Sequence, residues 1–171
     1  MQRRTLLGLG VAGAVALALA GAGAALLLST PTWRDGRLLP TGRRVLRGVA
    51  RAVLDGSLSD DPTSQSAALE AHLARMDATL SAMPPTTQRE VAGLLTLLAT
   101  APGSLALTGL SQPWHEAPVD ALQRTLQSMR LSTLGLRRQV YQALRDLTHA
   151  AYFADPSTWA QLGYPGPAKV G

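Results

Sequence analysis

The chain has 171 residues, enough for one ordinary domain plus a targeting or anchoring segment. It contains no cysteine, which excludes disulfides, thiolate metal sites, Cys-ligated iron–sulfur clusters, c-type haem attachment and a lipoprotein anchor. Its formal charge of +5 falls to +3 once Arg3 and Arg4 are set aside, so its basic character gives no argument for nucleic acid binding.

Residues 6–28 read LLGLGVAGAVALALAGAGAALLL, without a charge or a strongly polar side chain. As a helix this run would extend about 34 Å, enough to cross a hydrocarbon core of roughly 30 Å. Arg3 and Arg4 stand just before it, and the positive-inside bias sends the following chain across the membrane. The stretch Gln2-Arg3-Arg4-Thr5-Leu6-Leu7 resembles a twin-arginine export signal, with Leu6 at the usual aromatic position and Gly8 where a lysine often follows. Small-x-small cleavage sites occur at Ala18-Leu19-Ala20 and Ala22-Gly23-Ala24, but Leu26, Leu27 and Leu28 follow them. An uncleaved anchor is therefore favoured over a cleaved signal peptide. The other reading of Arg3 and Arg4 is that they merely orient an ordinary signal-anchor; the segment implies contact with membrane lipid on both readings and with the twin-arginine export machinery on the first. The remaining domain is expected in the periplasm, tethered to the cytoplasmic membrane or released by cleavage.

Residues 31–40, rich in turn formers, read as a linker, and the domain is assigned to residues 41–171. A first helix is predicted over 41–55, capped by Thr41, with Gly56 beyond its end. Val45, Val49, Ala52 and Val53 form its apolar side, while Arg43, Arg44, Arg47 and Arg51 make a candidate basic surface opposite. That surface is better read as a solvated face near a membrane or partner than as a specific anion site. A second helix should begin near Pro62, carry the stripe Leu69, Leu73, Met76, Leu80 and Met83, and end at Pro84-Pro85. Thr87 and Glu90 have capping-box spacing ahead of Val91, Leu94, Leu95 and Leu98, and Pro102-Gly103 should break that third helix. Residues 104–109 allow one further short turn of helix. Pro118 suits the first position of a fourth helix whose inner face is Val119, Leu122, Leu126 and Met129. A fifth is predicted over 133–153, with Leu136, Val140, Leu144, Leu147 and Ala151 inward. Asp155-Pro156 then starts a short helix over 157–162, ended by Gly163. No strand is predicted, so the fold class is all-α: a compact bundle of about five main helices plus a short C-terminal one, preceded by a transmembrane or signal helix.

Residues able to carry chemistry are scattered. His72, His115 and His149 form no zinc-ligand spacing. His115 and Glu116 would diverge on a helix or strand. His72 flanks its stripe and is expected to be partly exposed or locally hydrogen-bonded, and His149 should join Arg145 and Asp146 in a surface polar network. Asp60-Asp61 reads as a helix start. The chain has neither a nucleophile elbow nor a Gly-x-Gly-x-x-Gly fingerprint, and its only lysine, Lys169, belongs to no phosphate loop. No catalytic, cofactor-binding or metal residue is assigned.

Aromatic residues are more informative. Of seven in the chain, Tyr141, Tyr152, Phe153, Trp159 and Tyr164 fall within the last thirty-one positions. Tyr152, Phe153, Trp159 and Tyr164 can form a clasp over the bundle, a contact surface for a larger protein, or both. Leu144-Arg145-Asp146-Leu147, then Tyr152-Phe153-Ala154-Asp155-Pro156, Trp159 and Leu162-Gly163-Tyr164-Pro165-Gly166-Pro167, resemble the gluconate 2-dehydrogenase subunit 3 family. Members are small helical subunits with twin-arginine leaders. The resemblance implies a non-catalytic escort for a large flavoprotein dehydrogenase of the glucose–methanol–choline type, whose FAD and catalytic histidines reside in that partner. A multihaem cytochrome c subunit, with its haem, is a further implied partner. The other reading is a stand-alone membrane-anchored helical binding or scaffold protein of the cell envelope.

Overall fold

The computed structural model describes residues 30–164. Arg3, Arg4 and the apolar run 6–28, like Pro165, Gly166 and Pro167, lie outside the described residues.

The segment expected to be a linker contains a small antiparallel hairpin instead. Strand β1 (Trp33–Arg34) pairs with β2 (Arg37–Leu38), Trp33 opposite Leu38 and Arg34 opposite Arg37. Asp35 and Gly36 both have positive φ, 50° and 75°, the combination a two-residue primed turn demands. An Asp-Gly pair between Trp-Arg and Arg-Leu carries that signal, but strands two residues long show no alternation. Packing fixes the hairpin. Leu38 N–H donates to Asp77 Oδ1 at 2.8 Å, Ser81 Oγ to the Gly36 carbonyl at 3.0 Å, and Thr32 Oγ1 to the Ala92 carbonyl at 2.9 Å.

Helix α1 (Pro40–Val53) starts one residue before its predicted cap. Pro40 is already at φ suited to a first turn, Leu39 holds the cap position, and Thr41 makes no capping bond. Helix α2 (Pro62–Ser81) follows the prediction closely: Asp61 accepts from Ser64 N–H at 2.8 Å, and Leu69, Leu73, Met76 and Leu80 are buried. In α3 (Pro85–Ala99) the capping box is absent, because Pro85 starts the helix and leaves Thr87 inside its first turn. The break after α3 falls at Thr100, earlier than Pro102-Gly103. Thr100 turns extended, and its hydroxyl accepts from Gly103 N–H at 3.2 Å, starting a full eight-residue helix α4 (Ala101–Thr108). A Cβ on Gly103 would lie 2.3 Å from the Leu97 carbonyl, so the sharp corner requires glycine. Helix α5 (Val119–Arg130) and helix α6 (Gly135–Phe153) occupy the predicted regions, with Pro118 one place outside α5. A 3₁₀ helix over Pro156–Leu162 follows.

Six α-helices are thus present among the described residues, one more than the main set predicted, in an all-α bundle. Helix α1 sits at its centre, against α2, α3, α5 and α6, and α6 also packs on α2 and α5. Its small residues permit this: a Cβ on Gly48 would come within 2.3 Å of the Trp114 carbonyl. Trp114 is itself buried, its indole donating to Ser104 Oγ at 3.1 Å, and so locks the loop after α4 against α1. Val45, Leu46, Val49, Leu73, Met76, Leu94, Leu98, Leu122, Met129 and Leu144 belong to one continuous core.

Among the described residues no single helix is long and apolar enough to cross a membrane. Helices α3 and α4 together reach that length and apolarity, but they are bent by 102°.

Candidate functional site

The face of α1 predicted as a basic surface is half neutralised from α2, at Arg43 and Arg47. Arg43 pairs with Glu70 at 2.8 Å and Asp77 at 3.3 Å. Arg47 pairs with Glu70 and donates to Ser66 Oγ. The hydrogen bond from Arg43 holds the Glu70 carboxyl below its ordinary range, aided by the charge of Arg47 and opposed by partial burial. Arg51 donates to the carbonyls of His115 and Ala117, both at 3.2 Å. Arg44 alone of the four is exposed, and no carboxylate pairs with it among the described residues. Half of this charge pattern is therefore a helix-to-helix ion network, which the spacing along α1 could not reveal because the acids lie on another helix.

The aromatic C-terminus divides between core and surface. Tyr152 is buried with Ala50, Leu54 and Leu69. Phe153 is 37% exposed and Tyr164 49%, enough to leave ring surface free on both. Trp159 is half-buried; its indole N–H donates to the Phe153 carbonyl at 2.8 Å, and its ring meets Tyr164 edge-on at 5.5 Å between centroids. Trp159 and Tyr164 consequently fold back on the end of α6. Arg75, which no local pattern singles out, ties this turn to α2. It donates to the Ala151 carbonyl at 3.1 Å and pairs with Asp155 at 3.0 Å. The Asp155 carboxyl is lowered below its ordinary range by hydrogen bonds from the Ser157 hydroxyl and backbone N–H, with a smaller contribution from Arg75. The resulting surface of Phe153, Trp159 and Tyr164 is held in place from both sides.

The histidines depart from expectation in two places. His72 is almost wholly buried (1% exposed) and neither ring nitrogen finds a hydrogen-bond partner, contrary to a partly exposed or locally bonded side chain. The α2 stripe is simply wider than its strict repeat, and the Tyr152 ring lies 6.4 Å away on α6. Burial, reinforced by Arg75, pushes the His72 imidazole down to about 4. His115 and Glu116 converge rather than diverge, with Nε2 and Oε1 3.4 Å apart, because they sit in a turn between Pro113 and Ala117. His149 is half-buried; its ring packs on Phe153 at 5.8 Å, and burial lowers its pKa, with Arg145 adding to the effect. No cluster of three His, Cys, Asp or Glu residues able to hold a metal occurs among the described residues.

Two of the concave features among the described residues bear on function. An apolar groove of about 460 Å³ runs between α2, α3 and α6, floored by Val91, Leu94, Leu95, Leu144 and Leu147 with Asp146 on its rim. A smaller cleft of about 290 Å³ lies between the start of α1, the α3–α4 corner and the Trp114 loop. Neither brings together a nucleophile, a base and an oxyanion site. Comparison with known proteins identifies no relative: no family model matches the chain, and neither a curated protein nor a solved structure matches it.

Proposed function

We propose that this chain is a non-catalytic small subunit and export or assembly partner of a periplasmic, membrane-associated FAD-dependent dehydrogenase of the glucose–methanol–choline type. The observation carrying this reading is the C-terminal segment from Tyr152 to Tyr164, whose sequence resembles the gluconate 2-dehydrogenase subunit 3 family. Its rings at Phe153, Trp159 and Tyr164 are pre-positioned by the indole hydrogen bond of Trp159 and by Arg75. Rigid, partly exposed aromatics lose little conformational freedom on docking and are favoured anchors at protein interfaces. Arg3 and Arg4, ahead of the apolar run, support twin-arginine export, the route suited to a folded, cofactor-loaded partner. FAD would be carried by the large partner, and haem by a cytochrome c subunit where one is present.

The test is affinity purification of the full chain from solubilised membranes of its native host. A larger, flavin-containing protein should co-purify, and Trp159→Ala with Tyr164→Ala should release it while helical circular dichroism is retained. Arg3→Lys with Arg4→Lys should stop export of both proteins. Recovery of the chain without any flavoprotein would instead assign it as a stand-alone envelope scaffold.

A further inference from the structure

The cleft beside Trp114 has the makings of a ligand site that the proposed subunit role does not use. Its chemistry begins with Arg44. Arg43, Arg47 and Arg51 are each consumed by acids or carbonyls of the bundle, but Arg44 turns away from α2 and lines the cleft without an ion-pair partner among the described residues. No Asp or Glu lines the cavity. The nearest carboxylate on this loop, Glu116, engages His115 instead.

Around Arg44 the wall is two-sided. Thr41, Ser111, Gln112 and His115 provide hydroxyl, amide and imidazole groups, while Ala99, Ala101 and Pro113 provide the accessible apolar surface over the buried Leu98 and Trp114. Helix α4 opens at the same place, with Thr100 and Ala101 lining the cleft, but Pro102 has no N–H and the Gly103 N–H is taken by Thr100 Oγ1, so the guanidinium is the source of positive charge. The loop forming the floor is rigid. Trp114 is pinned to Ser104, and Arg51 holds the carbonyls of His115 and Ala117 from below. Ligand pockets typically start at about 300 Å³, and a cavity of about 290 Å³ suits a small molecule.

We propose that this cleft binds a small oxyanion-headed amphiphile, its phosphate or carboxylate on Arg44 and its short apolar body against Ala99, Ala101 and Pro113. The guanidinium supplies forked donors to two anionic oxygens, and the absence of a competing carboxylate leaves them free. Such a head can belong to a soluble metabolite or to the headgroup of an anionic lipid.

The experiment uses the full chain in zwitterionic phosphatidylcholine nanodiscs, titrated calorimetrically with butyl phosphate, butyrate and inorganic phosphate. A one-to-one isotherm is expected for butyl phosphate or butyrate, tighter than for inorganic phosphate because the butyl chain covers the apolar wall. Arg44→Ala should weaken it about tenfold or more, the usual worth of a charge-assisted contact. The exposed control Arg124→Ala should leave it unchanged. Repeating the titration in nanodiscs containing phosphatidylglycerol separates the sources: suppressed binding makes the occupant a lipid headgroup, and unchanged binding makes it a soluble anion. Absence of a saturable isotherm, or equal losses from Arg44→Ala and Arg124→Ala, would overturn the proposal. Either result leaves the flavoprotein reading untouched, since that rests on the separate, C-terminal aromatic segment.

Discussion

Replacing His72 with leucine should remove a pH dependence built into the bundle. The imidazole is buried on α2 with both nitrogens unpaired, and its pKa is pushed from 6.5 to about 4, chiefly by burial. Between those two values the unfolded chain takes up a proton that the folded protein refuses. Stability is therefore unaffected by this group above pH 6.5 and falls progressively as pH drops toward 4. At about 1.4 kcal/mol per pH unit, the interval amounts to roughly 3 kcal/mol by the acid end. His72→Leu abolishes that term and also removes two desolvated, unpaired nitrogens, a gain of about 1–2 kcal/mol at pH 7. Urea unfolding of both proteins followed by circular dichroism at pH 7, 5.5 and 4 measures the difference directly. The variant should be modestly more stable at pH 7 and far more so at pH 4. Parallel losses of stability in the two proteins over that range would mean that His72 is protonated or hydrogen-bonded in the folded state, and the reasoning would fail.

Other substitutions probe the remaining contacts. Gly48→Ala would drive a methyl group to within 2.3 Å of the Trp114 carbonyl, forcing α1 away from the loop; a loss of about 3 kcal/mol in chemical unfolding is expected. Gly56→Ala meets no atom within 4 Å and violates only a positive φ of 76°, so it should cost about 1 kcal/mol in the same assay. Arg75→Met should leave the helices intact yet release the turn around Asp155, seen as a few-fold faster hydrogen exchange at Tyr164 N–H, which bonds the Trp159 carbonyl.

Long apolar repeats are legible in the amino-acid sequence alone. Leu69, Leu73, Met76 and Leu80, and Val140, Leu144, Leu147 and Ala151, face the core as their spacing predicts, because a helix buried on one side must repeat near 3.6 residues. Helix starts are less legible wherever proline competes with a hydroxyl: Pro40 and Pro85 begin their helices ahead of Thr41 and Thr87. The hairpin at 33–38 leaves no periodic trace because two-residue strands have no period. Partnerships across the bundle are illegible for a different reason. Arg43 with Asp77, Arg75 with Asp155 and Arg51 with the Trp114 loop depend on which elements become neighbours, and local sequence does not encode that.

The hairpin also changes how the domain can be held. Thr32 is buried against α3, and the six residues after it are tied to α2 through Asp77 and Ser81. A pull applied at Thr32 therefore enters the body directly at the α2–α3 seam. Such a mount behaves as a bracket, not a leash: a load reaching Thr32 and the hairpin is shared at once by two helices of the bundle.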